Sequence, residues 1–448
     1  MKDCRSAVAV KLLVGLILAV LSTPASAQFG PIMSAAGGAN RSMGGASTAA
    51  PISAAGAMYW NPATLSGLKH DQMELGAELI LPQATMSSFV PANTFGPGAP
   101  PIDLSGRTDT EDSVFAVPTL ALAFAAGEDS SITYGLGVQA LAGYGLSYPG
   151  STTNPLLTPP PPVGLGFGPL QSEYQVVQVA PAIAWEVSEG WSLSFSPMMN
   201  IGKAQLDPLA VAAPDDANGD TFATYPYGTH SRNAWGGGFG LGTYYDAGLW
   251  RFGASYKSPQ WFESYTFHTT NELGLPRTVD YTLDLPQIFS IGTSYVGFEG
   301  VTLAADVRYL DYTNTKGFGD SGFNPDGSLR GLGLESIFAV ALGAQFQLTD
   351  RLTSQLGYTW SENPVSSSET MANVASPLLI QNMISTGLSY QATDALTLTL
   401  AYTHAFENSQ KGPITLPMGA IPGTYVKSTA SVDMITLGAV VNFGPHRR

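Results

Sequence analysis

Five histidines, His70, His230, His268, His404 and His446, are the side chains of this sequence best suited to acid–base or metal chemistry. They are scattered, and no His-x-x-x-His pair places two of them on one helix face. There is no Gly-x-Ser-x-Gly turn to expose a nucleophilic serine, and no Gly-Lys-Ser loop to cradle a phosphate. The one cysteine, Cys4, precedes a short apolar run and would leave with it, so neither a disulfide nor a thiolate metal site is expected. The run Asp215-Asp216-Ala217-Asn218-Gly219-Asp220 carries oxygen ligands at a density that suits calcium. It lacks the later glutamate of an EF-hand loop, so a solvated turn, or acids bridged to lipopolysaccharide by divalent ions, explains it better. No catalytic residue, cofactor or resident metal is expected.

These residues must be positioned by an exported chain. Lys2, Arg5 and Lys11 flank an apolar run from Leu12 to Leu21, and Ala25-Ser26-Ala27 follows Pro24. That order is a secretory leader, cleaved near Ala27. The run is too short for a spanning helix, which takes about 20 apolar residues. Acidic side chains outnumber basic ones, 34 to 19, for a net charge of −15. That balance argues against nucleic acid, whose phosphates need a basic footprint. Only 12% of the residues are charged, against about 25% in ordinary soluble domains.

From about residue 72 the sequence alternates with a period of two. Val301, Leu303, Ala305, Val307 and Tyr309 share one face, and Thr302, Ala304, Asp306 and Arg308 the other. Leu396, Leu398, Leu400, Tyr402 and Phe406 likewise oppose Thr397, Thr399, Ala401 and Thr403. A half-buried strand needs this period, in a soluble sandwich as much as in a membrane barrel. The connections decide between them. Fourteen strand candidates fall near 72–90, 114–126, 131–143, 172–187, 190–206, 232–247, 249–267, 281–297, 300–312, 335–348, 351–361, 381–391, 394–406 and 431–443. Every second connection is very short, and those between are long, the link after His268 being the shortest of the long set. Even strand number, short turns at one end and long loops at the other describe an all-β, antiparallel transmembrane barrel of a Gram-negative outer membrane. Trp185, Trp191, Tyr244, Tyr245, Trp250, Tyr358 and Trp360 cluster near strand ends, where an interfacial aromatic belt would sit. The chain runs five residues past Phe443, whereas barrels commonly stop at such an aromatic.

Residues 28–70 do not alternate. They are rich in Gly, Ala and Ser yet hold Met58, Tyr59, Trp60, Leu65 and Leu68 as apolar anchors. A barrel of this width would leak if empty, since diameter grows with strand number. A compact N-terminal plug in the lumen answers both observations. The expected organisation is a leader over 1–27, a plug or hatch over 28–70 and the barrel over 71–448.

The run Asn40-Arg41-Ser42-Met43-Gly44-Gly45-Ala46, followed by Asn61-Pro62-Ala63, resembles the hatch of FadL/TodX-type outer-membrane transport proteins. Phe252-Gly253-Ala254-Ser255-Tyr256-Lys257-Ser258-Pro259, Leu285-Pro286, and Leu348-Thr349-Asp350-Arg351-Leu352 before Gly357-Tyr358 extend the resemblance along the mature chain. The resemblance implies a monomeric fourteen-strand barrel whose hatch motif is carried by Asn61, Pro62 and Ala63, with Gly44 and Gly45 as hatch glycines. It implies passive uptake of long-chain fatty acids or of other hydrophobic molecules, aromatic hydrocarbons included. Cargo would be captured by external loops and would leave through a lateral gap near the third strand, where Gly135, Gly137 and Gly143 could permit a kink. The acidic position that often precedes the motif in the family is replaced here by Pro51-Ile52-Ser53-Ala54-Ala55, so no hatch–wall ion pair is expected from it.

Candidate ligand contacts follow. The loop from Tyr144 to Leu170 is unusually apolar, with Leu146, Tyr148, Leu156, Leu157, Val163, Leu165 and Phe167. It is either a capture surface or a loop folded over the barrel mouth. Lys257 and Arg308 point inward and would hold a carboxylate head, unless Arg308 simply pairs with Asp306. The expected partners are a hydrophobic small molecule, outer-membrane lipid and lipopolysaccharide. A general porin and an outer-membrane lipid hydrolase are the rival readings.

Overall fold

The computed structural model describes residues 29–94, 100–111, 113–127 and 130–443. The leader and the tail beyond Phe443 lie outside the described residues. Fourteen antiparallel strands close into a barrel: β1 Asp71–Val90, β2 Phe115–Ala125, β3 Ile132–Tyr148, β4 Leu170–Ser188, β5 Trp191–Asp207, β6 Ala234–Asp246 and β7 Trp250–Lys257 form one half. The other half is β8 Ile288–Phe298, β9 Val301–Leu310, β10 Ile337–Gln347, β11 Leu352–Ser361, β12 Asn382–Gln391, β13 Leu396–Gly412 and β14 Tyr425–Phe443. Each strand pairs with its sequence neighbour, and β1 closes the cylinder by pairing with β14 from Asp71↔Phe443 to Phe89↔Tyr425. Apart from the upper ends of β2 and β3, closure pairs the strand edges among the described residues, the condition for strands to cross a bilayer.

Alternation sorts the side chains as the sequence predicts. Leu75, Phe195, Leu241, Ile291, Phe338, Leu400 and Leu437 are exposed on the outer wall, while Glu78, Ser194, Asp306, Thr359 and Thr436 are buried on the inner one. Large apolar side chains facing out in every strand direction are what a lipid-facing band requires. Trp185, Trp191, Tyr245 and Trp250 are exposed near the short turns. Tyr244 departs from the expected belt: it is one residue out of phase with Tyr245, points inward and is buried. Glycine at Gly190 and Gly300 supplies the left-handed backbone of the two-residue turns β4–β5 and β8–β9.

Several boundaries differ from the sequence expectation. β7 stops at Lys257, ahead of Pro259, which has no N–H for a ladder. The alternating residues beyond it form a separate hairpin, Tyr265–Thr270 against Pro276–Tyr281. The link after β7 is therefore long like its neighbours, and β8 begins only at Ile288. β3 and β14 are longer than expected and stand above the band of apolar outer residues.

Candidate functional site

The N-terminal segment, residues 29–68, lies across the bore. Its helix α1 (Gly38–Ser42) packs on β11 to β14, helix α2 (Ala54–Trp60) on β1 to β3, and a 3-10 turn, Pro62–Gly67, on β3 to β6. Small residues let backbone meet backbone here. A Cβ at Gly357 would stand 2.1 Å from the Gly44 nitrogen, and one at Gly253 would stand 2.0 Å from the Thr48 carbonyl. Gly343 likewise receives the Met43 backbone, and Gly387 receives the Ser42 side chain. Gly253 and Gly357 stand inside motifs quoted from the sequence, whereas Gly343 and Gly387 were not singled out there, although each occupies an inward position of its strand.

Asn61 is fully buried. Its Nδ2 donates to the carbonyls of Thr48, at 2.8 Å, and Thr243, at 2.9 Å, joining segment to wall. Its Oδ1 accepts from the Ala63 amide and caps the turn that Pro62 begins. Gly44 and Gly45 both take positive φ, +64° and +82°, where a side chain would be strained. Their carbonyls accept from Thr359 Oγ1 and Arg308 Nη2, each at 2.8 Å.

Two buried ion pairs organise the contact. Arg41 donates through Nε and Nη2 to the two carboxylate oxygens of Glu78, both at 2.6 Å, and Thr436 Oγ1 donates to the same carboxylate. A segment–wall ion pair thus exists, from positions other than the one considered in the sequence. Asp306 Oδ2 accepts from the Ser47 and Thr48 amides and from Arg308 Nη2, at 2.6 Å. Glu74 accepts from the Ala55 amide. Arg308 also covers the Trp60 ring at 3.7 Å, and Lys257 Nζ lies 4.4 Å from the centre of the Tyr59 ring. Both basic candidates therefore face the N-terminal segment. Arg308 takes the paired arrangement, and Lys257 is held over aromatic faces. The Tyr59 hydroxyl, which donates to the Met33 carbonyl, is pushed well above its ordinary range by burial.

The wall has a seam. Pairing of β2 with β3 runs only from Thr119↔Gln139 to Ala125↔Thr133. Beyond Gln139, β3 carries a bulge between Ala140 and Ala142 that shifts its inward phase, so Leu141 and Ala142 are both buried. On the other side β1 changes partner, from β2 to a separate strand, Leu104–Asp109. The seam is closed above where the Glu111 amide donates to Ser147 O and Ser147 Oγ donates to Glu111 Oε2, both at 2.8 Å. From inside, the N-terminal segment pairs with the bulge: Met33 N donates to Leu141 O and Gly143 N to Pro31 O.

An apolar cavity of about 160 Å³ adjoins this seam, walled by Met33, Phe115, Pro118, Gly143, Tyr144 and Tyr174 among others. A second, also of about 160 Å³, lies under the external loops among Phe167, Val211, Tyr225, Phe267, Leu283 and Met371. Tyr144 walls both, and Phe167 the second. Tyr144, Leu146 and Tyr148 belong to the extended β3 rather than to a loop, and Tyr148, Leu156 and Leu157 are buried, so this stretch folds mainly over the mouth. Val163 and Leu165 are the exposed exceptions. Burial pushes the Tyr225 phenol up to about 12. Glu369, on the rim of the second cavity, is raised by burial and by the neighbouring Glu335. Among the described residues no Lys or Arg walls either cavity. Asp215 is engaged by Arg277, at 2.6 Å, and no group of three His, Cys, Asp or Glu side chains is gathered there or elsewhere among the described residues. His404 pairs with Asp433 on the outer wall.

Residues 16–443 match the family described as outer membrane protein transport protein (OMPP1/FadL/TodX). No curated protein sequence matches. Among solved structures the chain is similar to the Pseudomonas putida toluene transporter TodX, with TM-score 0.67 and 15% identity, over 92% of this chain and 100% of that one. The Ralstonia pickettii toluene transporter TbuX gives 0.66 and 17%, over 91% and 98%. A Pseudomonas aeruginosa FadL homologue gives 0.67 and 13%, over 94% and 100%. At such identities the likeness is one of fold.

Proposed function

The chain belongs to the OMPP1/FadL/TodX family of outer membrane transport proteins and is a channel for hydrophobic compounds, and from that premise we propose passive uptake along the two cavities, with release sideways through the seam at β3. Cargo enters under the external loops, passes Tyr144 and reaches the unpaired stretch between Phe115–Pro118 and Gly143–Leu146. The residues 29–68 act as a hatch that keeps water and ions from the bore. Lateral release suits an oily cargo, which gains by moving from an apolar cavity into lipid without crossing water.

One observation supports a choice of cargo class: neither cavity presents a cation among the described residues, and the two candidate cations, Lys257 and Arg308, face the hatch. A carboxylate head would be buried without a partner, at a cost of several kcal/mol. An apolar cavity of ~150 Å³ holds benzene. The preferred cargo is therefore an uncharged hydrophobe about one ring in size. The solved toluene transporters support this reading, and the long-chain fatty acid expected from the sequence becomes the second choice. Cells that express the protein should accumulate labelled toluene faster than cells without it, with no competition from oleate. Protein-dependent uptake of oleate and none of toluene would reverse the choice. A large, steady ion conductance through the intact protein would instead support the porin reading.

A further inference from the structure

Above the apolar band, one rung of the outer wall collects three basic side chains. Lys411 on β13 is directly opposite Lys427 on β14, Lys427 is opposite Ser87 on β1, and Ser87 is opposite Arg107 on the strand Leu104–Asp109. All three cations are exposed and share the outward phase. Neighbouring strands lie about 4.8 Å apart, so the three charges span ~15 Å. Like charges directly opposite on a sheet repel. In a chain with 34 acidic and 19 basic residues, an unrelieved basic rung needs a reason.

Internal partners do not supply one. Lys411 Nζ rests 3.8 Å above the Tyr425 ring, and among the described residues neither lysine has an acid in ion-pair range. Arg107 has a loose contact, 3.4 Å, with Asp109, whose carboxylate is already taken by Thr85 Oγ1 at 2.6 Å. The next rung adds the Ser409, Thr429 and Thr85 hydroxyls beside the cations and ends on the Asp109 carboxylate, opposite Thr85.

Height identifies the ligand. The outward aliphatic residues end at Leu81 on β1 and Ile435 on β14, six and eight residues below the rung, and the stacked aromatic pair Phe89 and Tyr425 faces outward just above it. At ~3.3 Å per residue and a tilt of ~40°, the cations stand roughly 15–20 Å above the hydrocarbon. A phospholipid headgroup layer adds only about 5–8 Å per side. The phosphates that reach this height are those on the saccharide of an outer-leaflet glycolipid.

We propose that Lys411, Lys427 and Arg107, with the Ser409 and Thr429 hydroxyls, form a binding site for a phosphorylated saccharide of lipopolysaccharide. Ammonium and guanidinium groups give charge-assisted hydrogen bonds to phosphate, and Arg107 can do so with two parallel N–H groups. The site is independent of the cargo reading and depends only on the barrel standing in the outer membrane.

The test uses full-length protein in detergent and rough lipopolysaccharide carrying phosphorylated inner core. Saturable binding that weakens with salt is expected, at least tenfold weaker for the triple variant Lys411→Gln, Lys427→Gln, Arg107→Gln, and retained in Lys411→Arg, Lys427→Arg. Enzymatically dephosphorylated lipopolysaccharide should bind no better than the triple variant does. Equal binding by wild type and triple variant, equal binding of the dephosphorylated form, equal binding of phosphatidylglycerol nanodiscs, or no binding at all would each overturn the site. Heat-modified gel mobility checks that the variants remain folded, and toluene uptake by them should be unchanged, so failure here is separable from failure of the transport reading.

Discussion

Arg41, on the short helix α1 inside the bore, makes a two-pronged ion pair with Glu78 on the wall strand β1, both contacts at 2.6 Å and both residues buried. Buried pairs of this kind add little net stability, but removing one partner strands the other charge. Arg41→Met should loosen the hatch at a cost of about 3–5 kcal/mol. Planar-bilayer recordings should show frequent openings in Arg41→Met and fewer in the double variant Arg41→Met, Glu78→Met. A single variant as silent as wild type would remove the pair from any latching role.

Wall glycines should matter to the hatch and not to the barrel. A Cβ at Gly357 meets the Gly44 backbone at 2.1 Å, which no side-chain rotation can relieve. Gly357→Val should leave the barrel folded, since valine suits a strand, while displacing residues 38–48. Protease cleavage within the hatch of a barrel that still shows heat-modifiable mobility is the expected result.

The bulge at β3 makes the seam. Deleting Leu141 returns the strand to one inward phase and removes the offset between Ala140 and Ala142. β2 and β3 should then pair further up, and toluene uptake should fall near background with the barrel intact. Undiminished uptake would place the exit elsewhere.

Tyr144 is common to both cavities. Tyr144→Ala should join them into one larger space and relax size discrimination, so that two-ring hydrocarbons compete with toluene. Phe167→Ala, which touches the outer cavity alone, should alter capture without changing that preference. Competition assays with naphthalene distinguish the two.

Glu369 gives the loops a pH dependence. Its carboxyl is held above the ordinary range by burial and by Glu335. The folded loop therefore prefers the protonated acid. Its contribution is fully favourable below the unfolded value, declines as pH rises through that value toward the raised one, and is lost above it. Hydrogen exchange in residues 362–381 should slow on acidification, and Glu369→Gln should slow it at neutral pH and flatten the response.

Strand count, loop asymmetry and the inward or outward direction of nearly every wall residue were legible in the sequence, because a closed antiparallel sheet between lipid and lumen imposes a period of two on each strand by itself. Asp306 and Arg308 were readable as inward for the same reason. Phase is local, however, and contact is not. That Arg41 would meet Glu78, that Gly357 would receive Gly44, and that Lys257 would settle over Tyr59 depend on how forty non-repeating residues fold back into the bore. Nor does any period of two announce where it breaks: the extra residue at Leu141, the change of partner along β1 and the end of β7 at Lys257 are set by which strands the closed barrel brings side by side. Lys411, Lys427 and Arg107 lie far apart in the chain, and only the register across β13, β14 and β1 puts them on one rung.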